Sequence, residues 1–398
     1  MTIARGITKQ LAIKPESSYG VLAGASGAAL LRRVTSTFNL AKATYQSAEI
    51  RTDYQVADFR HGVRSCAGTV AGELSPGSYS TLMQAALARD FTAGISFTGL
   101  SLAVTTTDIT RASGSFITDG FKLGDIIRLT AGTGAASDNL NINLLITNVV
   151  ALDITFVVVN GATITPSPTV TGATLVVQGK KTYVPQTGHT SKSFTVEEFC
   201  IGIAQSEVYT GVKVNTMGLT LPSTGISTVN FSLTGKDLTQ TGTTQYFTSP
   251  SALGTTGVCA GVNGSVIFNG AKVAVITNCT INLNRNLAET TALGSNSIVE
   301  SVDGRAIVDG NLSLYFIDAA ARDAFKNETE VSVIINLTTN NSATADFFTI
   351  TMPRCKFNSF TKDDGEGAIT ASTAFTALLN NSNAAGDVTT IVISDSQA

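Results

Sequence analysis

Tryptophan is absent from this chain, histidine occurs twice in 398 residues, and Asp, Glu, Lys and Arg together make up 14% of it, against about 25% in a typical soluble protein. Each shortage excludes something. His61 and His189 are too few for a histidine-based metal centre. The five cysteines (66, 200, 259, 279 and 355) are odd in number and scattered, with no C-x-x-C and no Cys/His spacing fit for zinc. They read as reduced, mostly buried thiols. No run of Lys or Arg is longer than two and the formal net charge is −3, so the basic stripe of a nucleic-acid reader is missing. The first residues carry no apolar leader segment, and the longest apolar stretch, LLITNVVALDITFVVV, is interrupted by Asn148 and Asp153. Neither a signal peptide nor a membrane span is expected, so sites such as Asn278 and Asn336 carry no glycosylation meaning. Thr, Ser, Asn, Gly and Ala fill the place of charge. Such a surface suits a protein that lies against copies of itself better than one kept monomeric by repulsion.

Catalytic arrangements are missing too. Gly179-Lys180-Lys181 lacks the glycine five residues earlier, where Thr174 stands, and the Ser or Thr after the lysine that a phosphate-binding loop needs; it reads as a hairpin end. There is no G-x-S-x-G and no H-E-x-x-H. KDDGEG (362–367) lacks the spaced ligands of a calcium loop and reads as a solvated turn. Glu197 and Glu198 are adjacent in SFTVEEF, hence on opposite faces of a strand, a poor geometry for paired acid–base work. The most reactive-looking stretch is DFRHGVRSCAGTVAGEL (58–74), which holds His61, Cys66 and Glu73. On an extended strand Cys66 and Glu73 are roughly 23 Å apart and on opposite faces. His61 and Cys66 differ in parity as well. The stretch reads as a sheet strand with Cys66 as a small buried hydrophobe. No catalytic, cofactor or metal residue is expected anywhere in the chain.

What is present reads as short strands. Runs of β-branched and aromatic residues alternate with Gly, Asn, Asp and Ser turns. GSVIFNGAKVAVI (264–276) is a hairpin turned at Asn269-Gly270. GRAIVDGNLSLYF (304–316) alternates, with Val308, Gly310, Leu312 and Leu314 on one face. Two helices are expected, over 78–91 with Ser80 as N-cap and over 317–328 with Asp318 as N-cap. An internal repeat accompanies them. STFNLAKATYQSAEI (36–50) aligns with CTINLNRNLAETTAL (279–293), GTVAGEL (68–74) with AIVDGNL (306–312), AALARDF (85–91) with AAARDAF (319–325), and GISTVNFSLTG (225–235) with AITASTAFTAL (368–378). The common order indicates a duplication. Segment 93–181 has no counterpart in the second copy. It reads as a β unit inserted into the first copy and projecting from the shared core, with TPSPTVTG (165–172) and VPQTGHT (184–190) as turns or an exit linker.

Residues 16–91 resemble the tail tube (major tail) proteins of long-tailed bacteriophages. The likeness rests on SAEIR after TFNLAK, on the Arg-x-Gly turn at Arg60-His61-Gly62, and on the GEL-x-P-x-x-Y join from Gly72 to Tyr79. It extends more loosely through 190–240 and, by the repeat, to 256–398. The resemblance implies an all-β fold with minor α: two tandem β-sandwich or barrel tube domains, each with one helix, plus a small inserted β domain. The domains expected are 1–92 with 182–255, the insertion 93–181 on the outer surface, and 256–398. It implies a structural virion protein, not an enzyme, whose sheets join side by side across subunits into rings. The rings stack into a hollow tube through which DNA passes to the host. Since single-domain tube proteins close as hexamers, a two-domain chain is expected to close as a homotrimer with pseudo-sixfold symmetry. Expected partners are other copies of the chain and the tape measure, terminator and tip proteins, with DNA passing unbound and no membrane involved. Assembly is expected in the host cytoplasm and the final location in the virion tail. A capsid-decoration protein or surface adhesin is the alternative. Residues 1–20 and 380–398 read as arms between rings, the strand VTTIVIS adding to a neighbour's sheet edge.

Overall fold

A computed structural model describes residues 3–273, 275–364 and 366–398. The chain is mostly strand with minor helix, and no helix among the described residues is long and apolar enough to cross a membrane. Two sets of six long strands carry the architecture. The first is β1 (Lys9–Pro15), β2 (Thr35–Gln46), β3 (Phe59–Glu73), β4 (Phe194–Cys200), β5 (Gln205–Pro222) and β6 (Thr228–Gly235). The second is β7 (Gly264–Phe268), β8 (Ile276–Asn284), β9 (Ile307–Tyr315), β10 (Val331–Thr338), β11 (Phe347–Phe357) and β12 (Thr370–Ala377). In the first set antiparallel pairing runs β2–β3–β6–β5–β4–β1. In the second it runs β8–β9–β12–β11–β10–β7.

The repetition extends to register. Phe38 faces Gly68 as Ile281 faces Gly310. A Cβ on Gly68 would lie 2.4 Å from the Thr37 carbonyl oxygen, and one on Gly310 would lie 2.2 Å from that of Thr280, so only glycine fits either place. The β5–β6 ladder slips by one residue at Asn215. The hairpin of β11 and β12 slips likewise between Phe357 and Thr361, around Asn358. These pairings correct the alignment read from sequence. Gly310 corresponds to Gly68 and not to Gly72, a slide along the same face. Phe231 corresponds to Thr373 and not to Ala374, a one-residue error that would have turned β6 over.

Alternation builds a shared core. Val229, Phe231 and Leu233 of β6, Leu219 of β5, Ile281 of β8, Leu312 of β9 and Phe375 of β12 are buried in one continuous cluster. Val308 and Leu312 are sealed while Ile307 and Tyr315 face outward, as the pattern of 304–316 predicts. The Asn269-Gly270 turn takes φ of 48° and 81° and joins β7 to Ala271–Val273.

Helix α1 is Ser80–Leu87, shorter than expected, and Tyr79 precedes it as N-cap while Ser80 is its first helical residue. Leu82, Met83, Ala85, Ala86 and Leu87 of α1 are buried. A short α2 (Phe116–Asp119) was not anticipated; Ser115 caps it by accepting from the Thr118 N–H. Helix α3 (Ala320–Lys326) buries only Ala324. Asp318 accepts from the Ala320 N–H but stands one residue before the N-cap position, Ala319.

Between α1 and β4 six strands (Ser96–Val104, Asp108–Arg111, Ile126–Thr133, Leu144–Val149, Asp153–Val158 and Ser167–Val177) close into a barrel. Phe116, Phe121, Ile127, Leu144, Ile154 and Leu175 fill it. Its last strand contains Ser167–Gly172, which the sequence suggested as turns. The barrel does not stand free of the shared sheet. Its Leu123, Ile126, Leu145 and Val159 form one buried cluster with Ile267, Ile334 and Phe347 of the second strand set. Asn143 Nδ2 donates to the Ala345 carbonyl at 2.9 Å. Lys181, read from sequence as a hairpin-end lysine, is half-buried between Asp125 at 3.2 Å and Asp387 at 2.9 Å. Burial works to lower its amine, but the two carboxylates outweigh that and hold it above the ordinary lysine value.

Both termini are built into the chain's own sheet. β1 lies between β4 and the short strand Ala29–Leu30. β13 (Val392–Asp395) pairs with Phe348–Thr351 of β11 on one side and with Lys180–Tyr183 on the other. The VTTIVIS strand thus pairs within its own chain and not with a neighbour's sheet edge, and both segments read as arms between rings carry strands docked on the chain's own sheet.

Candidate assembly interface

The residues that looked most reactive are held apart. β3 is a strand, Cys66 is 1% exposed, and His61 is exposed at the far end beside Phe59. Burial, and then the Asp237 carboxylate, push the Cys66 thiol up to about 12, which suits packing and not nucleophilic attack. Its sulfur presses on Gly235, where a Cβ would lie 2.5 Å away. Glu197 and Glu198 are both buried, each spoken for on its own face. Glu197 accepts from Ser206 Oγ and from the Tyr246 and Phe247 N–H groups at 2.6–2.9 Å. Glu198 accepts from Lys9 Nζ at 2.6 Å and Ser36 Oγ at 3.2 Å. They fasten β1, β2 and the 246–247 turn to β4. Sequence parity placed the pair correctly and gave no hint of these partners. Asp363 accepts from the Thr370 N–H and hydroxyl, which hold its carboxyl below the usual range; Gly365 of the same turn lies outside the described residues. Among the described residues no group of three His, Cys, Asp or Glu comes together as a metal centre.

The chemistry of this molecule is backbone pairing. The two strand sets join because β5 is long enough to carry β6 on one side and β8 on the other. Thr216 faces Asn284, Gly218 faces Asn282 and Thr220 faces Thr280 across this junction. Met217 faces Leu283, and both are 0–1% exposed. The bulge residue Asn215 secures the end: its carbonyl accepts from the Arg285 N–H at 2.8 Å and its Oδ1 from the Leu287 N–H at 3.1 Å. Arg285 then turns under α1. Its guanidinium donates to the Ala85 and Ala86 carbonyls at 3.2 Å each and pairs with Asp303 at 2.8 Å. A cation there meets the unsatisfied carbonyls of the helix C-terminus.

The 285–306 hairpin end crosses back over the first set. Arg64 of β3 donates its N–H to the Asn296 carbonyl and accepts from the Ile298 N–H. Ile298 is 2% exposed, and Lys213 Nζ donates to the Ser301 carbonyl at 2.6 Å.

At the two outer ends of this sheet the same elements stand open. Among the described residues β2 pairs with β3 alone, its other edge unpaired over 35–46. Its hairpin end, 47–58, is exposed almost throughout, with Ile50 at 99% and Tyr54 at 98%. At the opposite end, Thr361–Lys362 pairs only with β12. Beside it, Phe325, Lys326, Glu328, Lys356, Phe357 and Asn358 line a cavity of about 410 Å³ at the end of α3. Open edges of this kind are pairing templates.

A sequence model of phage tail tube proteins matches residues 6–377. No curated protein matches the chain. Among solved structures, the chain is similar to a chain of the anti-feeding prophage (AFP) baseplate, from a 6-fold symmetrised cryo-EM structure. The two share 13% identity and a TM-score of 0.23, over 28% of this chain and 85% of that one.

Proposed function

The chain belongs to the phage tail tube protein family, a structural component of phage tails, and from that premise we propose that it polymerises as stacked rings into a hollow tube through which DNA passes to the host. The observation that carries this is the sheet that runs unbroken through both strand sets and ends in an unpaired edge on each side. Ring closure pairs both edges, which a soluble monomer would have to protect in other ways. The strand sets are two tube domains, 1–92 with 182–255 and 256–398, and the barrel 93–181 lies on the tube's outer face. Three chains then supply six domains and close as a homotrimer with pseudo-sixfold symmetry. Low charge and a net −3 favour a lumen that DNA slides past without binding. The ends of the tube meet the tape measure, terminator and tip proteins, and rings assemble in the host cytoplasm before entering the virion.

Negative-stain microscopy with rotational averaging tests this. Hollow rings or tubes with three strong and three weak lobes are expected. Six equal lobes would overturn the trimer, and monomers at every concentration would overturn the tube.

A further inference from the structure

Building on the ring-forming reading, we propose that two copies of this chain meet through a repetition of the junction each already makes within itself. β2 of one copy pairs antiparallel with segment 358–364 of the next, and Lys42 enters the cavity at the end of the neighbour's α3. The register follows from the matched ladders. Phe38 stands where Ile281 stands, opposite equivalent glycines. Asn358 stands where Asn215 stands, at equivalent bulges that leave Thr361 facing Ser372 as Gly218 faces Asn230. Carrying the internal pairs Thr216–Asn284, Gly218–Asn282 and Thr220–Thr280 across this correspondence sets Ser359 opposite Ala41, Thr361 opposite Asn39 and Asp363 opposite Thr37.

The side chains agree with that register. Met217 and Leu283 bury each other's flank inside the chain, and their equivalents are Phe360, half-buried, and Leu40, 37% exposed. Closure covers Leu40 with Phe360. Lys42 is the equivalent of Arg285 and is exposed on the open edge. The place that Arg285 fills, between the end of α1 and Asn215, has as its counterpart the cavity bounded by Phe325, Lys326, Phe357 and Asn358. Glu328, exposed at its rim and 3.9 Å from Lys356 Nζ, is the carboxylate that Lys42 would share with Lys356, in the place where Asp303 serves Arg285. The exposed 47–58 hairpin end then lies over the neighbour's β9, as Asn296–Ile298 lies on β3. This is a head-to-tail contact, which generates a closed ring and not a twofold dimer.

The test is covalent. Residues directly opposite in an antiparallel pair have Cα atoms about 4.5–5.5 Å apart, within disulfide reach, and a shift of two residues takes them beyond about 7 Å. Asn39→Cys and Thr361→Cys chains, purified separately, mixed and oxidised, are expected to give a disulfide-linked dimer. The Asn39→Cys and Asp363→Cys mixture is expected to give at least tenfold less. Both positions are exposed, and each single variant oxidised alone controls for the native cysteines. Rings that form without the 39–361 crosslink would overturn the register and leave the ring reading standing. Absence of rings from the wild-type chain together with absence of the crosslink would overturn both. Lys42→Glu should raise the concentration needed for ring formation at least tenfold with no change in the monomer's thermal midpoint; wild-type assembly by that variant would overturn the cavity contact.

Discussion

In the first strand set the helix is sealed and the hairpin end is bare; in the second the hairpin end is anchored at Ile298 and Ser301 and the helix rides exposed. The two differences have one origin. The 285–306 hairpin of the second set reaches over the first, its Arg285 closing the end of α1 and its Ile298 buried beside β3. Nothing among the described residues does the same for α3, so only Ala324 of that helix is buried and a cavity remains at its end. Two copies of one ladder, differing in whether the next copy is present, display a completed interface and its unfinished form side by side. A second contrast follows from the barrel. β7 and β10, counterparts of β1 and β4, are covered by barrel residues through Ile267, Ile334 and Phe347, while β1 is covered by Ala29–Leu30 and Phe247.

The largest effect should come from removing the barrel. Replacing 95–178 by a short flexible linker would uncover Ile267, Ile334 and Phe347, all 0–1% exposed. At roughly 1.5–3 kcal/mol per side chain the loss is about 5–9 kcal/mol, comparable with the whole stability of a typical domain, about 5–15 kcal/mol. The Lys181–Asp125–Asp387 group would lose a member as well. Loss of the cooperative thermal transition and rapid proteolysis of 256–398 are expected. A deletion variant that melts like the intact chain would show the barrel to be dispensable, as the sequence alone suggested.

Arg285→Ala is expected to come next, at about 3 kcal/mol, for two charge-assisted hydrogen bonds at roughly 1.5 kcal/mol each. It removes the donors to the Ala85 and Ala86 carbonyls and the partner of Asp303, whose carboxylate is exposed. Its mark should be local: the one trypsin site in 286–305, Arg305, opens before the rest of the chain unfolds. Lys42→Ala, at the equivalent exposed position, should leave monomer stability within about 0.5 kcal/mol. Equal losses at the two positions would remove the contrast between finished and unfinished junctions.

Much of this was legible in the sequence, and the limits are physical. Strand content, the Asn269-Gly270 hairpin, the outward Ile307 and Tyr315, and the burial of Cys66 follow from period-two alternation and turn chemistry, which are local. The repeat was visible because β2 and β8 keep the same spacing of small and apolar residues. Its register in β3 was not, because Val-x-Gly and Gly-x-Val occur close together and both Gly68 and Gly72 satisfy the pattern; only the approach of the Thr37 carbonyl distinguishes them. The junction was out of reach for a further reason. Met217, Leu283, Asn215 and Arg285 are ordinary residues whose role depends on partners some 70 to 200 positions away, and no local period encodes that. Lys181 misled because a hairpin-end lysine and the centre of a half-buried ion group look alike until Asp125 and Asp387 are placed.

The glycines then sharpen the comparison at the level of register. Gly68→Ala and Gly310→Ala should each cost about 3 kcal/mol, the upper end of overpacking, since each new methyl group would meet a backbone carbonyl at 2.2–2.4 Å. Gly72 is a different case. A Cβ there would meet the Tyr79 hydroxyl, the tip of a side chain, and relief by rotation of the ring is blocked because Tyr79 is 1% exposed. Chemical denaturation of the three variants separates the readings. Matching losses at 68 and 310, traced to unfolding of the sheet, support the structural alignment; near-neutral Gly68→Ala would return Gly72 to the equivalent place.

The last comparison concerns β13, which pairs along β11 as Asp237–Gly242 pairs along β5. Burial pushes the Asp395 carboxyl up to about 6, against the pull of the Gly77 and Gln397 N–H donors, with Asp346 adding to the rise. The sign follows from which state holds the proton more tightly. The folded chain keeps Asp395 protonated up to about pH 6, whereas the unfolded carboxyl loses its proton near 3.9. Stability from this group is therefore fully present below about pH 4, falls as the pH rises between about 4 and 6, and is level above that. A rise of this size is worth at most roughly 3 kcal/mol. Asp395→Asn keeps one acceptor oxygen, for either the Gly77 or the Gln397 N–H, which bond different oxygens of the carboxyl, and removes the titration. Thermal midpoints taken from pH 4 to pH 7 should show a downward contribution in the wild type that the variant lacks. Because β13 ties β11 to Lys180–Tyr183 and Asp395 accepts from Gly77 at the entry to α1, that contribution should appear in unfolding of the second set together with the start of α1; an equal slope in the variant would place the titrating group elsewhere.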